Sequence, residues 1–206
     1  MCVQGLTREP AFRNISFEVR AGEVLGFFGL VGAGRSEIMR AIFGVDKATA
    51  GTVTLNGQSV HIRSPKDAVA NGLALVPEDR KHDGLALRLS VMENMTLVKL
   101  PDISPAGFID QAKRRQLSDT YVSDIRVKTP SIRQLAGNLS GGNQQKVVIS
   151  KWLMTDPKVL ILDEPTRGID VGSKSEIYAL IDQLASQGMA VIVVTSEMNE
   201  ILGICD

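Results

Sequence analysis

Residues 139–170 read LSGGNQQKVVISKWLMTDPKVLILDEPTRGID, and this stretch decides the fold. Its serine and paired glycines precede apolar residues at helical spacing, namely Val148, Ile149, Trp152 and Leu153. Glycine amides and a hydroxyl at a helix start form a natural seat for phosphate, because unpaired N–H groups and the helix dipole both favour an anion. We therefore expect a phosphate-binding helix start here.

An unbroken apolar run at residues 159–162 follows this helix and ends in Asp163 and Glu164. Such a run is typical of a strand buried on both faces, which delivers its final carboxylates at the carboxyl edge of a sheet. Taken alone, either half of the stretch is about equally consistent with a plainer alternative, a glycine-rich turn followed by a core strand with a solvated acidic end.

A second glycine-rich segment lies upstream, where GLVGAGRS at residues 29–36 follows the apolar run 24–28. It fits the P-loop pattern G-x-x-x-x-G-K-[ST], with Arg35 in place of lysine. Helical spacing after the loop completes the order strand, loop and helix that the motif requires. In such a loop the backbone amides wrap phosphate oxygens, and the Ser36 hydroxyl is placed to ligate Mg²⁺.

Other segments predict strands of two kinds and a helical region. Alternation at residues 15–20 predicts a half-buried antiparallel strand, and Asn56-Gly57 predicts a hairpin turn. Continuous apolar runs predict buried parallel strands at residues 73–76 and 191–194. Between residues 89 and 156 the pattern is mostly helical.

Composition and charge exclude several function classes. With 206 residues and 44% hydrophobic content, the chain can bury a core as one domain. Its formal net charge of zero gives no electrostatic case for a nucleic-acid partner. No apolar run approaches ~20 residues and no signal-peptide pattern opens the chain, so we expect any membrane association to occur through a protein partner.

The three motifs, in this order, resemble the nucleotide-binding domain of ABC transporters. The P-loop lies at residues 29–36, the signature at 139–143 and Walker B at 159–164. The resemblance covers the whole chain. It is closer still to the second, C-terminal ATP-binding domain of bacterial monosaccharide importers of the ribose, galactose, arabinose and xylose type. The finer match is carried by GLVGAGRSE (29–37), LVPEDRK (75–81), LSGGNQQK (139–146) and DEPTRGIDVGSK (163–174).

This resemblance implies an α/β fold: a P-loop NTPase (RecA-like) core with an ABC-type antiparallel β-subdomain and an inserted α-helical subdomain. Residues 1–88 and 157–206 would form the core and the β-subdomain, and residues 89–156 the helical subdomain, within one nucleotide-binding domain of residues 1–206. The family has further strands beyond the position of Asp206, so we expect the C-terminal strands to be truncated.

The resemblance also implies ATP and Mg²⁺ as cofactors and assigns the site residues. Glu164 would polarise the attacking water, while Ser36 and Asp163 would hold the metal. The nucleotide-binding positions are Gly29, Gly32, Gly34, Arg35, Ser36 and Glu37. The signature residues given to a partner domain's ATP site are Ser140, Gly141, Gly142 and Asn143.

Several of these positions depart from the family pattern. Arg35 replaces lysine, Glu37 replaces threonine, Glu78 stands where a glutamine is usual, and Ser196 stands where a histidine contacts the γ-phosphate. Residues 1–11 contain no aromatic side chain to stack on adenine. We therefore predict a weak ATP site in this domain's own pocket and a competent signature for its partner's pocket.

The resemblance implies a second nucleotide-binding domain as partner, fused N-terminally in the full polypeptide, together with transmembrane permease subunits. A sugar-binding protein would act indirectly, and no nucleic acid is expected. The domain would lie peripherally on the cytoplasmic face of the bacterial inner membrane. Two alternatives stay open: a soluble, non-transport ABC ATPase of DNA repair or translation, and a non-catalytic nucleotide-binding regulatory module.

Overall fold

The computed structural model describes residues 1–30 and 32–206, so Val31 of the predicted P-loop lies outside the described residues. The strands are β1 (Cys2–Arg8), β2 (Phe12–Glu18), β3 (Val24–Phe28), β4 (Ala50–Leu55), β5 (Gln58–Val60), β6 (Leu73–Val76), β7 (Val159–Asp163) and β8 (Ala190–Thr195). The α-helices are α1 (Arg35–Ile42), α2 (Pro65–Ala70), α3 (Val91–Thr96), α4 (Gln111–Asp124), α5 (Gly141–Leu153), α6 (Val171–Ser186) and α7 (Met198–Ile204). Shorter turns are the π-helical segment Arg80–Gly84 and the 3-10 helices Leu97–Ile103, Pro105–Gly107 and Ala136–Asn138.

One sheet is antiparallel, with the strand order β2-β1-β4-β5. The predicted hairpin is confirmed, since β4 pairs with β5 and places Val53 opposite Val60. Asn56 and Gly57 form its turn with φ of 49° and 79°, the two positive values that a tight hairpin turn requires. The alternating segment near residue 15 is also confirmed as the antiparallel strand β2.

The second sheet has the strand order β3-β8-β7-β6, and β8 pairs in parallel with both β3 and β7. Every residue of β6, β7 and β8 is buried, which explains why these strands read as continuous apolar runs. In this register Phe28 lies opposite Thr195, and Asp163 lies opposite Val194. The carboxyl ends of the three parallel strands therefore reach the same edge, where ligands of such sheets bind.

Helix α7 packs closely against β3 at Gly26. A Cβ atom at this position would lie 2.6 Å from Ile201 Cδ1 and 2.7 Å from Cys205 Sγ, so only glycine allows the approach. Asp206 continues the contact, because its N–H donates to the Val24 carbonyl at 3.0 Å and its carboxylate accepts the Val24 N–H at 2.8 Å.

The chain divides into two compact units. The first comprises Met1–Leu75, Pro157–Pro165 and Ile181–Asp206, and it contains the antiparallel sheet, α1 and the strands β3, β7 and β8. The second comprises Val76–Asp156 and Thr166–Leu180, and it contains α3, α4 and α5. The mixed α/β fold expected from the sequence is confirmed.

Helix α5 in the second unit is buried on almost all sides, although the apolar spacing predicted only one buried face. The buried polar residues are Gln144, Gln145, Lys146, Ser150 and Lys151. Lys151 donates to the Gly84 carbonyl at 2.6 Å, and burial lowers the pKa of its ammonium to about 8. Across the described residues, no helix combines the length and apolar character needed to span a bilayer.

Candidate functional site

The first part of the candidate site is the glycine loop that joins β3 to α1. Gly32 and Gly34 have φ of 83° and 85°, a left-handed backbone that glycine adopts without steric cost. Gly34 directly precedes α1, and no side chain caps that helix. The first amides of α1 are therefore left open at the loop, which is the arrangement that binds an anion.

Asp163, the last residue of β7, forms the second part. Its side chain is buried and hydrogen-bonded to Ser36, yet its Oδ1 has no partner in the described structure. Burial raises the pKa of this carboxyl to about 6; the carboxylates of Glu164 and Glu37 add to this, while Ser36 and Arg35 oppose it. The ionised form of Asp163 is thus disfavoured until a cation approaches.

Ser36 and Asp163 fit a magnesium ion. Proteins typically supply only one or two oxygen ligands to Mg²⁺, such as an unpartnered carboxylate oxygen beside a hydroxyl. Water molecules and phosphate oxygens then complete the coordination of the ion. A site made wholly of protein ligands is a different case, and the described residues hold no cluster of three or more His, Cys, Asp or Glu side chains suited to one.

The raised pKa of Asp163 predicts a pH dependence of stability in the absence of metal. Its folded pKa of about 6 exceeds the unfolded value of 3.8, so its contribution is present below about pH 4 and is lost as the pH rises through 6. In EDTA, the wild type should lose about 2 kcal/mol of unfolding free energy relative to Asp163→Asn between pH 4 and pH 7. Urea unfolding of both proteins at the two pH values measures this difference. If the unfolding free energies of the two proteins changed by the same amount between pH 4 and pH 7, the raised pKa of Asp163 would be contradicted.

Arg35 occupies the position of the usual P-loop lysine, and its guanidinium is bound by the protein itself. Nη1 donates to the Thr195 carbonyl, and Nη2 donates to the Leu30 carbonyl at 3.1 Å. Nη2 also lies 3.7 Å from Glu164 Oε1, and both side chains are about nine-tenths buried. Gly29 lies against the same side chain, since a Cβ there would be 3.4 Å from Arg35 Cδ.

Glu164 has a second contact, with Ser196, in addition to the one with Arg35. Ser196 donates its hydroxyl to Glu164 Oε2 at 3.3 Å. Burial raises the pKa of the Glu164 carboxyl, while Ser196 and Arg35 oppose that shift. The backbone of Glu164 has a positive φ of 46°, which is uncommon for a non-glycine residue and frequent at functional sites. The structure thus brings Arg35, Glu164 and Ser196 together, and it adds Thr195.

Glu78, at the position of the usual glutamine, belongs to the second unit. Its carboxylate forms an ion pair with the Arg167 guanidinium. The charge that the sequence predicts at this position is therefore compensated by a cation from the segment that follows Walker B.

The signature segment begins α5, with Ser140 directly before the helix. Ser140 is exposed, and its hydroxyl makes no capping bond to the helix backbone. Asn143 Nδ2 donates to Ser140 Oγ at 2.9 Å, and Asn143 Oδ1 accepts the Lys128 N–H at 2.7 Å. The helix start is thus uncapped and its serine is exposed, an arrangement that suits an anion.

Gly142 is required by a close contact within the second unit, because a Cβ there would lie 2.5 Å from Ser173 Cβ. Gly141 has tight surroundings too, since a Cβ there would lie 2.9 Å from Arg80 Nη2, the end of a flexible side chain, and 3.2 Å from the Gly168 carbonyl oxygen. Arg80 donates to the carbonyl oxygens of Arg167 and Gly168, at 2.6 and 3.1 Å. This guanidinium therefore supports the loop after Walker B directly beside the start of the signature helix.

Sequence reasoning missed three contributors: Thr195, Arg80 and Lys128. Thr195 and Lys128 contact the site residues through backbone groups, and every residue type has these groups. Their roles therefore cannot be inferred from the residue type. Arg80 lies in the charged run 78–83, which is equally typical of a solvated loop, and its acceptors are more than eighty positions away. Only the three-dimensional arrangement identifies these partners.

Comparison with known proteins places this geometry in context. The family profile described as ABC transporter matches residues 12–167. A protein of Rhizobium etli named for ribose/galactose/methyl galactoside import as an ATP-binding protein is 52% identical over 206 residues, covering 100% of this chain and 39% of its own length. The ribose import ATP-binding protein RbsA of Geobacillus kaustophilus is 52% identical over 204 residues, covering 99% of this chain and 41% of its own length. The chain thus spans about two fifths of these relatives, within their C-terminal half.

Among solved structures, a nucleotide-free ATP-binding cassette from an ABC transporter superposes with a TM-score of 0.83 at 20% identity. The match covers 100% of this chain and 84% of the cassette. At this level of identity the likeness establishes the fold.

Proposed function

The chain belongs to the ABC transporter family of ATP-binding domains, and on that premise we propose that it is half of the motor of a monosaccharide importer. In this role it binds ATP weakly in its own pocket and donates its signature segment to the ATP site of a partner domain. The relatives named for ribose and galactoside import support the sugar assignment.

The observation that carries the proposal is the contrast between the two anion seats. Arg35 is already bound to two backbone carbonyls and lies beside Glu164. Ser140 is exposed and its hydroxyl has not been used to cap its helix. The first seat must give up internal contacts before a phosphate can recruit its guanidinium, whereas the second is open.

In its own pocket this domain keeps part of the hydrolytic apparatus. Ser36 and Asp163 would hold Mg²⁺, which when bound neutralises charge on the phosphates. Glu164 would orient water, but Arg35 and Ser196 compete for its carboxylate. Phosphoryl transfer depends on positioning and charge stabilisation, so residues engaged with one another make this pocket slow.

At the partner's site, Ser140 and the amides of Gly141 and Gly142 would contact the γ-phosphate of an ATP held by the partner's P-loop. Such donors complete a charge-stabilising cage only when the two domains close, as sites assembled by closure do. Gly142 must be glycine in any case, because a side chain there would collide with Ser173.

We further propose the assembly in which this motor works. The relatives' length and the C-terminal position of the match support a second ATP-binding domain in the same polypeptide. The importer names of the relatives support permease subunits, a sugar-binding protein and a peripheral position on the cytoplasmic face of the membrane. They do not favour a soluble ABC ATPase of DNA repair or translation.

Reconstitution of the full-length polypeptide with its permease and binding protein tests this function. Vesicles supplied with ATP should accumulate labelled ribose or galactose, and a non-hydrolysable ATP analogue should give no uptake because closure then does not proceed to hydrolysis. Hydrolysis stimulated by DNA or ribosomes, with no uptake of any monosaccharide, would contradict the proposal.

A further inference from the structure

The side chain of Asn143 links Ser140 to the segment before the signature. The Lys128 backbone N–H donates to Asn143 Oδ1 at 2.7 Å, and Asn143 Nδ2 donates to Ser140 Oγ at 2.9 Å. A backbone N–H can only donate, so the oxygen of the carboxamide must face Lys128. The NH₂ group must then face Ser140, and the orientation of the carboxamide is fixed by its partners rather than chosen arbitrarily.

This contact determines the direction of the Ser140 hydroxyl hydrogen. Because Oγ accepts a hydrogen bond from Asn143, the O–H bond of Ser140 points away from the carboxamide. Within the described residues no acceptor for this O–H is found, and the side chain is exposed. The hydroxyl is therefore a donor available to solvent beside the start of α5, where an anion would meet the helix.

The same contact keeps the helix start open. A serine directly before a helix ordinarily turns its oxygen inward and accepts the backbone N–H two or three residues later. Ser90 does this at the start of α3, where Oγ accepts the Glu93 N–H at 3.2 Å. Ser140 makes no such bond, since its oxygen is turned to the Asn143 side chain. The amides of the first turn of α5 thus stay available.

The segment that contains Lys128, to which Asn143 is hydrogen-bonded, is held in place by two lysine side chains. Lys128 Nζ pairs with Glu176 at 2.8 Å, and the buried Lys146 pairs with the same carboxylate at 2.6 Å. Lys146 also donates to the Arg126 carbonyl at 3.1 Å. The segment 126–128 is thereby fixed against α5 and α6, and it presents the Lys128 N–H to Asn143 in one position.

We propose that Asn143 is a positioning residue that turns the Ser140 hydroxyl outward, so that it donates to the γ-phosphate of the partner-bound ATP. Asn143 performs this task without touching the nucleotide. The inference rests on the proposed donation of the signature and adds the device that sets its geometry. If Asn143 had a purely structural role, only its hydrogen bond to Lys128 would be needed. The rate of hydrolysis would then not depend on whether an NH₂ group or an oxygen faces Ser140.

The isosteric change Asn143→Asp separates these two roles. One carboxylate oxygen still accepts the Lys128 N–H, while the other now accepts from Ser140 and turns its hydrogen inward. In the reconstituted transporter we expect kcat to fall by ~10²-fold, the usual loss for one preorganised donor, with little change in the KM for ATP. Asn143→Gln retains a carboxamide donor and should stay within about threefold of the wild type.

Arg115→Gln is the matched control for charge. It changes the net charge by one unit in the same direction, on α4, and leaves every contact of Asn143 in place. Because Arg115 is exposed, this variant should lose less than about twofold in rate. Thermal unfolding of every variant verifies folding. If Asn143→Asp does not fold, Asn143→Ala replaces it, and a fall of about tenfold is expected because Ser140 can then cap its helix.

The combination with Ser140→Ala completes the test. Without the hydroxyl there is no hydrogen to misdirect, so Asn143→Asp should lower the rate of Ser140→Ala no more than Arg115→Gln lowers that of the wild type. The inference is overturned if the rate of Asn143→Asp matches that of Arg115→Gln, or if Asn143→Asp lowers the Ser140→Ala rate by its full wild-type factor. If Ser140→Ala itself has no effect, the proposed donation of the signature fails with it, and the two failures are thus distinguished.

Discussion

Ser140→Arg is expected to nearly abolish both ATP hydrolysis and sugar uptake by the assembled transporter. The substitution removes an exposed hydroxyl at the start of α5 and fills the adjoining anion seat with a long side chain. Loss of a preorganised donor alone typically costs ~10²–10³ in rate, and obstruction of domain closure adds to that loss. The measurements are phosphate release and labelled-monosaccharide uptake in the same vesicles.

The control for this variant is Ser123→Arg, which places the same side chain at an exposed position of α4. It makes the same change of charge and bulk on another helix, outside the signature at residues 139–143, so its rates should match the wild type. Near wild-type hydrolysis by Ser140→Arg would show that the signature makes no contact with nucleotide.

Arg35→Met is expected to lower the free energy of unfolding by about 3 kcal/mol at pH 7, measured by urea titration without nucleotide or metal. The change removes the guanidinium from the Thr195 and Leu30 carbonyls and leaves the Glu164 carboxylate, 9% exposed, without its cation. Its importance for function is direct, because an arginine that stabilises the empty pocket is not free to bind phosphates.

The double variant Arg35→Met/Glu164→Gln is the control for this effect. With the buried charge removed, about 1–2 kcal/mol of the loss should be recovered as coupling between the two positions. The cost of Arg35→Met should also be smaller at pH 5, because burial raises the pKa of Glu164 and the carboxyl is then more readily protonated. Additive effects of the two substitutions would show that the pair is not coupled.

Much of the fold could be predicted because local patterns determine it. The buried strand β7 was readable from its unbroken apolar run, and the hairpin of β4 and β5 from Asn56-Gly57, since a tight turn with two positive φ angles favours those residues. Gly44, just after the end of α1, has φ of 75°, the left-handed backbone that commonly ends a helix and favours glycine.

The contacts that the site residues make with one another could not be predicted from local patterns. Sequence comparison identifies Arg35 as a departure from lysine, but the Thr195 carbonyl that binds it lies 160 positions away. Likewise, the burial of Lys151 and Gln145 on α5 results from neighbours on several elements and not from helical periodicity. The roles of the individual site residues in binding ATP remain predictions, to which the structure adds the contacts each residue makes.

The asymmetry of the domain is tested most directly by phosphate release from the reconstituted transporter carrying Glu164→Gln. Glutamine keeps the shape of the side chain and its contact with Ser196 but removes the carboxylate that would activate water in this pocket. If hydrolysis proceeds mainly at the partner's site, the variant should retain most of the wild-type rate, because the altered pocket contributes little to it. A fall as deep as that of Ser140→Arg would contradict the account and show that this domain's own pocket is catalytic.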